Sequence, residues 1–237
     1  MGRGIIQEPD DIRPDNPPSN PELLAYLEKE LVRSKYDMKH IYRLILNSST
    51  YQQSPVAKSD KPEVDALFGH YLSRRLDAEV LADALNDIFG GIGEGCISPI
   101  PEPFTFIPEY QRTIDLADGS ITSQFLEMFG RPARDTGLES ERTNDPTDFQ
   151  RLYLLNSTEI QKKIVDSPCL RRILNERKKS NREMIRMIYL SLLSRYPTQA
   201  ETEVAEKYFK TPGLNRNNAA QDIAWALVNT KEFLYRH

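Results

Sequence analysis

The chain has 237 residues, enough for one large domain or two small ones. Hydrophobic residues make up 39% and charged residues 28%, which supports a core, though a lean one. The formal net charge of −4 argues against general nucleic-acid binding, which draws on Lys and Arg to neutralise phosphates.

Residues 1–21 read as an extended lead-in arm, because Pro9, Pro14, Pro17, Pro18 and Pro21 forbid a helix there. Residues 22–237 are expected to form a single helical domain. Its first helix starts with Pro21 in the N-terminal turn and Asn20 as cap, and Leu23, Leu24, Leu27 and Leu31 share a face. Asp37 is placed to cap a second helix that turns Met38, Ile41, Leu44 and Ile45 inward. Residues 48–61 are polar and contain proline, so they read as a loop, and Glu63 to Tyr71 as a short helix. Asp77 then caps a strong helix with Val80, Leu81, Ala84, Leu85 and Ile88 at helical spacing, and Gly90-Gly91 ends it.

Residues 90–118 change character, with four glycines followed by Pro99, Pro101, Pro103 and Pro108. This is a long irregular insertion, of a length that is uncommon unless it serves a purpose, with one short strand near Phe104–Ile107. A short helix from Ser120 to Phe129 closes at Gly130. After the polar segment 129–147, capping-box patterns at Thr147-x-x-Gln150, Thr158-x-x-Gln161 and Thr198-x-x-Glu201 open helices. The second of these carries Ile160, Ile164 and Val165, and the third carries Val204, Tyr208 and Phe209 and stops at Pro212-Gly213. Between them, 181–194 shows an apolar stripe of Met184, Ile185, Ile188, Tyr189 and Leu192. Ala219, Ala220, Ile223, Ala224, Leu227 and Val228 mark a last long helix whose small residues predict close approach to a neighbour. The expected fold class is mostly α: an irregular helical domain with a long Pro/Gly-rich loop insertion and little or no sheet.

The segment from Phe129 to Thr147 holds the candidate site. It gathers Arg131, Arg134, Asp135, Glu139, Glu141, Arg142, Asn144 and Asp145 between Gly130, Pro132, Gly137 and Pro146, which break any single helix. On an extended backbone Glu139 and Glu141 face the same way, about 6–7 Å apart. Three readings are open. The carboxylates pair with the arginines in a structural ion network; they hold a hard cation such as Ca²⁺ with Asp135, Asn144 or Asp145; or Glu139, Glu141 and Asp135 act as an acid–base set on a glycoside. Near-neutralisation of the acids by three arginines favours the network. Arg74-Arg75 with Asp77 and Glu79 forms a further charged cluster at a helix entry, which could reach this segment.

Other chemistry is weakly signalled. Cys96 and Cys169, 73 positions apart, match no metal or haem spacing, and His40, His70 and His237 are too few for a His-rich metal site, so no metal or cofactor is expected. The glycines at 90–95 have no following lysine and read as chain reversal. Residues 171–186 carry a local charge of +5 without interleaved aromatics and read as a solvated helix end. Tyr51, Phe104, Phe106 and Tyr110, in loops, either pin those loops to the core or stack on a ligand. No stretch approaches 18 apolar residues, so no membrane span is expected, and no charged-then-apolar leader opens the chain, so no signal peptide is expected within it.

Several ordered motifs resemble a family. Asn16-Pro-Pro-Ser-Asn-Pro-Glu-Leu-Leu24, Asp37-Met-Lys-His-Ile41 with Ser49-Thr-Tyr-Gln-Gln-Ser54, and Arg74-Arg-Leu-Asp-Ala-Glu79 come first. Phe129-Gly-Arg-Pro-Ala-Arg-Asp135, Glu139-Ser-Glu-Arg142, Leu154-Leu-Asn156 and Trp225-Ala-Leu-Val-Asn-Thr-Lys-Glu-Phe233 follow. Together they resemble the planctomycete-type domain of unknown function DUF1553 over nearly the whole chain. The resemblance implies the C-terminal half of a longer exported protein, whose partners are its own preceding domains, often including a c-type cytochrome. Some relatives carry cysteines at the positions of Leu138 and Ser140, so a thiol-based role is not implied here. The expected function is a non-catalytic binding or domain-bracing module, with a polymeric glycan or a protein as partner. The alternatives are a polysaccharide hydrolase using paired carboxylates and an accessory domain to a c-type cytochrome electron-transfer protein.

Overall fold

The computed structural model describes residues 4–7, 11–59, 61, 64, 68–90, 112–116, 123–132, 141–143, 145–175 and 180–236. Among them the fold is mostly α, as expected: eleven α-helices, one 3-10 turn and one two-stranded ladder. Most of the insertion 90–118, including the expected strand at Phe104–Ile107, lies outside the described residues, as do Glu63 and residues 65–67 of the expected helix at Glu63–Tyr71, whose residues 68–71 are not helical. The chain divides into two compact units at Arg74/Arg75.

In the first unit, residues 11–20 of the arm contain neither helix nor strand, and Ser19 N–H and Oγ–H both donate to the Ile5 carbonyl, at 2.7 and 2.9 Å. Helix α1 (Pro21–Arg33) starts with Pro21 at its first position and Asn20 accepting from the Leu23 N–H at 3.0 Å. Helix α2 (Met38–Leu46) is capped by Asp37, which accepts from Lys39 N–H at 2.9 Å. The link between them puts Lys35 and Tyr36 in the left-handed region, at φ +56° and +65°. Ile41 is buried, and Leu24, Leu27, Leu31, Leu44 and Ile45 are half-buried. Leu23 and Met38, expected inward, are 42% and 52% exposed. Two paired helices bury only a narrow stripe, and Leu23 sits about 100° around α1 from Leu24. Glu30 and His40 join the helices at 3.2 Å. Tyr51 meets Tyr71 edge to face at 5.7 Å, so this loop aromatic packs within the unit.

The second unit holds the main core. Strand β1 (Arg74–Arg75) pairs with β2 (Tyr235–Arg236). Helix α3 (Ala78–Phe89) buries Ala78, Leu81, Ala82, Leu85 and Phe89 at helical spacing, while Val80, Ala84 and Ile88, expected to be central, are half-buried. Asp77 stands at its N-cap but makes no capping bond; its carboxylate is drawn instead to Arg236. Gly90 ends α3 at φ +79°, where a Cβ would lie 2.6 Å from Pro168. Helix α4 (Gln124–Met128) follows, capped by Ser123.

The remaining helices are α5 (Asp148–Asn156), α6 (Thr158–Asp166), α7 (Pro168–Asn175), α8 (Asn181–Leu193), α9 (Gln199–Tyr208), α10 (Arg216–Val228) and α11 (Lys231–Leu234). Capping boxes open α5, α8 and α9. At α6 the cap is Ser157, which accepts from Ile160 N–H, and not Thr158, which is already helical. Ser157 is extended at the joint between α5 and α6 and takes the cap one residue earlier. Helix α7 was not anticipated; its signal is Ser167, accepting from Leu170 N–H at 3.1 Å, followed by Pro168 at the first helical position. Helix α8 packs against α7, α9, α10 and α11 and buries all five residues of its predicted stripe. Ala219, Ala220 and Ala224 of α10 are fully buried, which permits the expected close approach to α8. Val165, Val204 and Tyr208 are exposed at 51%, 71% and 39%, against expectation, because Ile160/Ile164 and Thr202/Ala205 take the inward faces of their helices.

Candidate functional site

Beside its apolar row, α3 carries a polar row at i, i+4, i+7 and i+8: Glu79, Asp83, Asn86 and Asp87. Glu79 and Asp83 are buried, at 4% and 5% exposure. Helix spacing therefore sends the first two of these oxygen acceptors into the interior, where each must be partnered, while Asp87 stays exposed.

At Glu79 the partner is Arg142. Its Nη1 and Nη2 donate to Oε2 and Oε1 at 2.9 and 2.8 Å, the bidentate geometry that planar guanidinium and carboxylate favour. Arg131, 4% exposed, places its Nη1 3.6 Å from the same carboxylate. Burial acts to raise the Glu79 pKa, but the bonds from Arg142 and the charge of Arg131 prevail, and the carboxyl lies below its ordinary value. A second buried guanidinium group stands next to this pair. Arg75 donates to the Gln150 side chain and to the carbonyls of Phe129 and Thr143, and its Cζ lies 5.5 Å over the Phe129 ring. Burial lowers the Arg75 pKa, yet an arginine stays protonated at neutral pH. Gln150 completes the arrangement: it closes the capping box of α5 and donates to the Met128 carbonyl at 2.7 Å.

The ends of the polar segment are clasped. Thr143 N–H donates to the Gly130 carbonyl at 3.1 Å. Gly130 adopts φ +106°, and a Cβ there would fall 2.0 Å from the Thr143 carbonyl oxygen, so only glycine fits.

Further along α3, Asp83 accepts from the backbone N–H groups of Thr113 and Ile114 at 2.7 and 3.2 Å. Arg112 bonds Asp87 at 2.9 Å and approaches Asp83 at 3.5 Å. Lys163, also buried, donates to Asn86 at 2.8 Å. These residues went unnoticed in the sequence; the signal that could have found them is the i, i+4, i+7 polar row on a helix that also has a full apolar face.

Of the predicted site residues, Arg131 and Arg142 come together, and they do so on Glu79, which belongs to the helix-entry cluster. That cluster does reach the polar segment, through Arg75 and Glu79. Glu141 is half-buried and Asp145 exposed. Arg134, Asp135, Glu139 and Asn144 lie outside the described residues. Among the described residues no group of three or more His, Cys, Asp or Glu side chains is arranged to hold a metal ion. Cys169 is a half-buried free thiol. In the basic run, Arg171 pairs with Asp166, Arg182 bonds Gln199, and Arg186 lies over the Tyr196 ring at 4.8 Å. Arg177, Lys178 and Lys179 lie outside the described residues.

Chemically, the Glu79 site suits an ion lock. A general acid needs a raised pKa and access to substrate, whereas Glu79 is held ionised and enclosed by guanidinium. No helix of the described residues is long and apolar enough to cross a membrane. A family model matches residues 1–209, that of PSD1, a protein of unknown function (DUF1553). No curated protein and no solved structure matches the chain.

Proposed function

We propose that this chain, which belongs to the PSD1 family of proteins of unknown function (DUF1553), is a non-catalytic helical module of a larger exported protein. It binds a partner or braces a neighbouring domain. The observation that carries this reading is the enclosure of Glu79 by Arg142 and Arg131, with Arg75 bonded to backbone at the clasp beside them. This arrangement ties β1 and the start of α3 to the polar segment and to α5, and it serves as a rigid support for a surface. Loss of any one member of a buried network of this kind costs about 3–5 kcal/mol without any chemistry being involved.

The competing reading is a polysaccharide hydrolase built on Glu139, Glu141 and Asp135. The purified chain is assayed for reducing-end release from a panel of polysaccharides, and melting curves of wild type and Glu141→Gln are recorded with and without Ca²⁺. We expect no release above buffer, a melting temperature lowered by several degrees in Glu141→Gln, and no movement of either curve with Ca²⁺. Turnover that Glu141→Gln abolishes at unchanged stability establishes the hydrolase instead, and a saturating rise with Ca²⁺ establishes a cation site.

A further inference from the structure

We propose that the cleft between α9 and α10 binds an organic cation: a quaternary or alkylated ammonium, or a guanidinium, carried on an apolar body. Both helices pack on α8, and the open cleft between them has a volume of about 670 Å³. That size falls in the range of small-molecule sites, about 300–1,000 Å³.

Three aromatic side chains line the cleft, Tyr189, Tyr208 and Trp225, together with two carboxylates, Glu201 and Asp222. Among the described residues that line it there is no Lys, Arg or His. The faces of aromatic rings carry negative potential and attract cations, and cages of such rings recognise quaternary ammonium groups. This part of the chain already uses the effect: the Arg195 guanidinium lies 5.6 Å from the Tyr189 ring centre.

The charge balance gives the sign of the ligand. Arg195 is held by two glutamates, donating to Glu201 at 2.9 and 2.8 Å and to Glu232 at 2.6 and 2.7 Å. Arg195 thus offsets one of the two carboxylates that line the cleft, Glu201, and the charge of the other, Asp222, remains. Asp222 is exposed and accepts from the Tyr208 hydroxyl at 2.8 Å, a neutral donor that leaves its charge intact. An anion entering the cleft is therefore repelled at the Asp222 end, and a neutral apolar molecule gains only burial. A cation gains the Tyr208 and Trp225 rings and the Asp222 carboxylate, while its apolar body covers Val204, which is 71% exposed.

Trp225 is the sole tryptophan of the chain, so its emission reports on this cleft. The full chain is titrated with benzyltrimethylammonium, benzyl alcohol and benzenesulfonate. The ammonium produces a saturable change in emission, the alcohol binds about tenfold more weakly, and the sulfonate does not bind, reflecting about 1.4 kcal/mol per factor of ten. Asp222→Asn, at an exposed position, weakens the ammonium about tenfold, and Tyr208→Leu weakens it by a similar factor. Equal binding of the three probes overturns the proposal, as does an ammonium that gives no saturable response in a chain with a normal melting curve. Retention of full affinity in both folded variants overturns it too. The cleft shares no residue with the guanidinium cage at Glu79, so either proposal can fail while the other stands.

Discussion

Glu79 shows how a buried carboxylate is decided by its neighbours. Burial alone works to neutralise it, and two guanidiniums keep it charged. Removing the charge on one side strands the other. Glu79→Gln leaves Arg142 and Arg131 facing a neutral amide, and the expected loss is about 3–5 kcal/mol, the cost of breaking a buried pair. For a chain of this size that is a fall of roughly 10 °C in melting temperature. A fall of less than a degree or two in a calorimetric scan would mean that the pair is held loosely in water. Gly130 makes a similar demand of the backbone. Gly130→Ala drives a methyl into the Thr143 carbonyl at a φ that alanine avoids, and about 3 kcal/mol of destabilisation is expected. Ala at Pro132, outside the clasp, is the control, and equal stability of the two variants would refute the steric argument.

At the scale of elements, caps read from the sequence formed at Asn20, Asp37, Thr147 and Thr198, and the capping box of α8 was not among those read. Ser180 and Glu183 form the capping box of α8, with Ser180 accepting from Glu183 N–H at 3.3 Å and Glu183 accepting from Ser180 N–H at 2.8 Å. Ser180→Ala is expected to cost about 1 kcal/mol, or about 3 °C. An unchanged melting curve would show that the packing of α8 alone fixes its start. Apolar spacing placed α8 and α10 well, because both are long and bury a full stripe. It failed for Val204 and Val165, since hydrophobicity says that a residue can be buried and not that a neighbour exists to bury it. It missed α7, only 8 residues long, whose Ser-Pro start resembles a loop. The candidate site was half legible. Two arginines of the charged, proline-broken segment, Arg131 and Arg142, meet on a carboxylate that lies outside that segment. This buried acid was harder to see: Glu79 lies 63 positions from Arg142, and only the fold brings them together.

Across the whole molecule, the same chemistry of carboxylate held by guanidinium recurs at separate places and sets a common response to acid. Arg195 bonds and the cap at Thr198 depress Glu201 to about 2, against the opposing effect of burial, and Arg142 and Arg131 depress Glu79. A carboxyl whose folded pKa lies below its unfolded value of about 4.3 binds protons more readily when unfolded. Its contribution is thus complete at neutral pH, begins to fade as pH falls through the unfolded value, and is gone below the folded one. Stability should accordingly be nearly flat from pH 7 to about 5 and decline between about 5 and 2. Arg195→Gln separates the two sites. With its main partner removed, Glu201 loses the largest cause of its depression, so the variant is less stable than wild type at pH 7, and the difference narrows as pH approaches 2. Because Arg195 is about one-third exposed, solvent screening makes this gap smaller than that of Glu79→Gln. Melting temperatures of the two proteins across that pH range check the sign directly. A gap that widens on acidification would mean that Arg195 acts through its packing on Tyr189 and not through the carboxylates it holds.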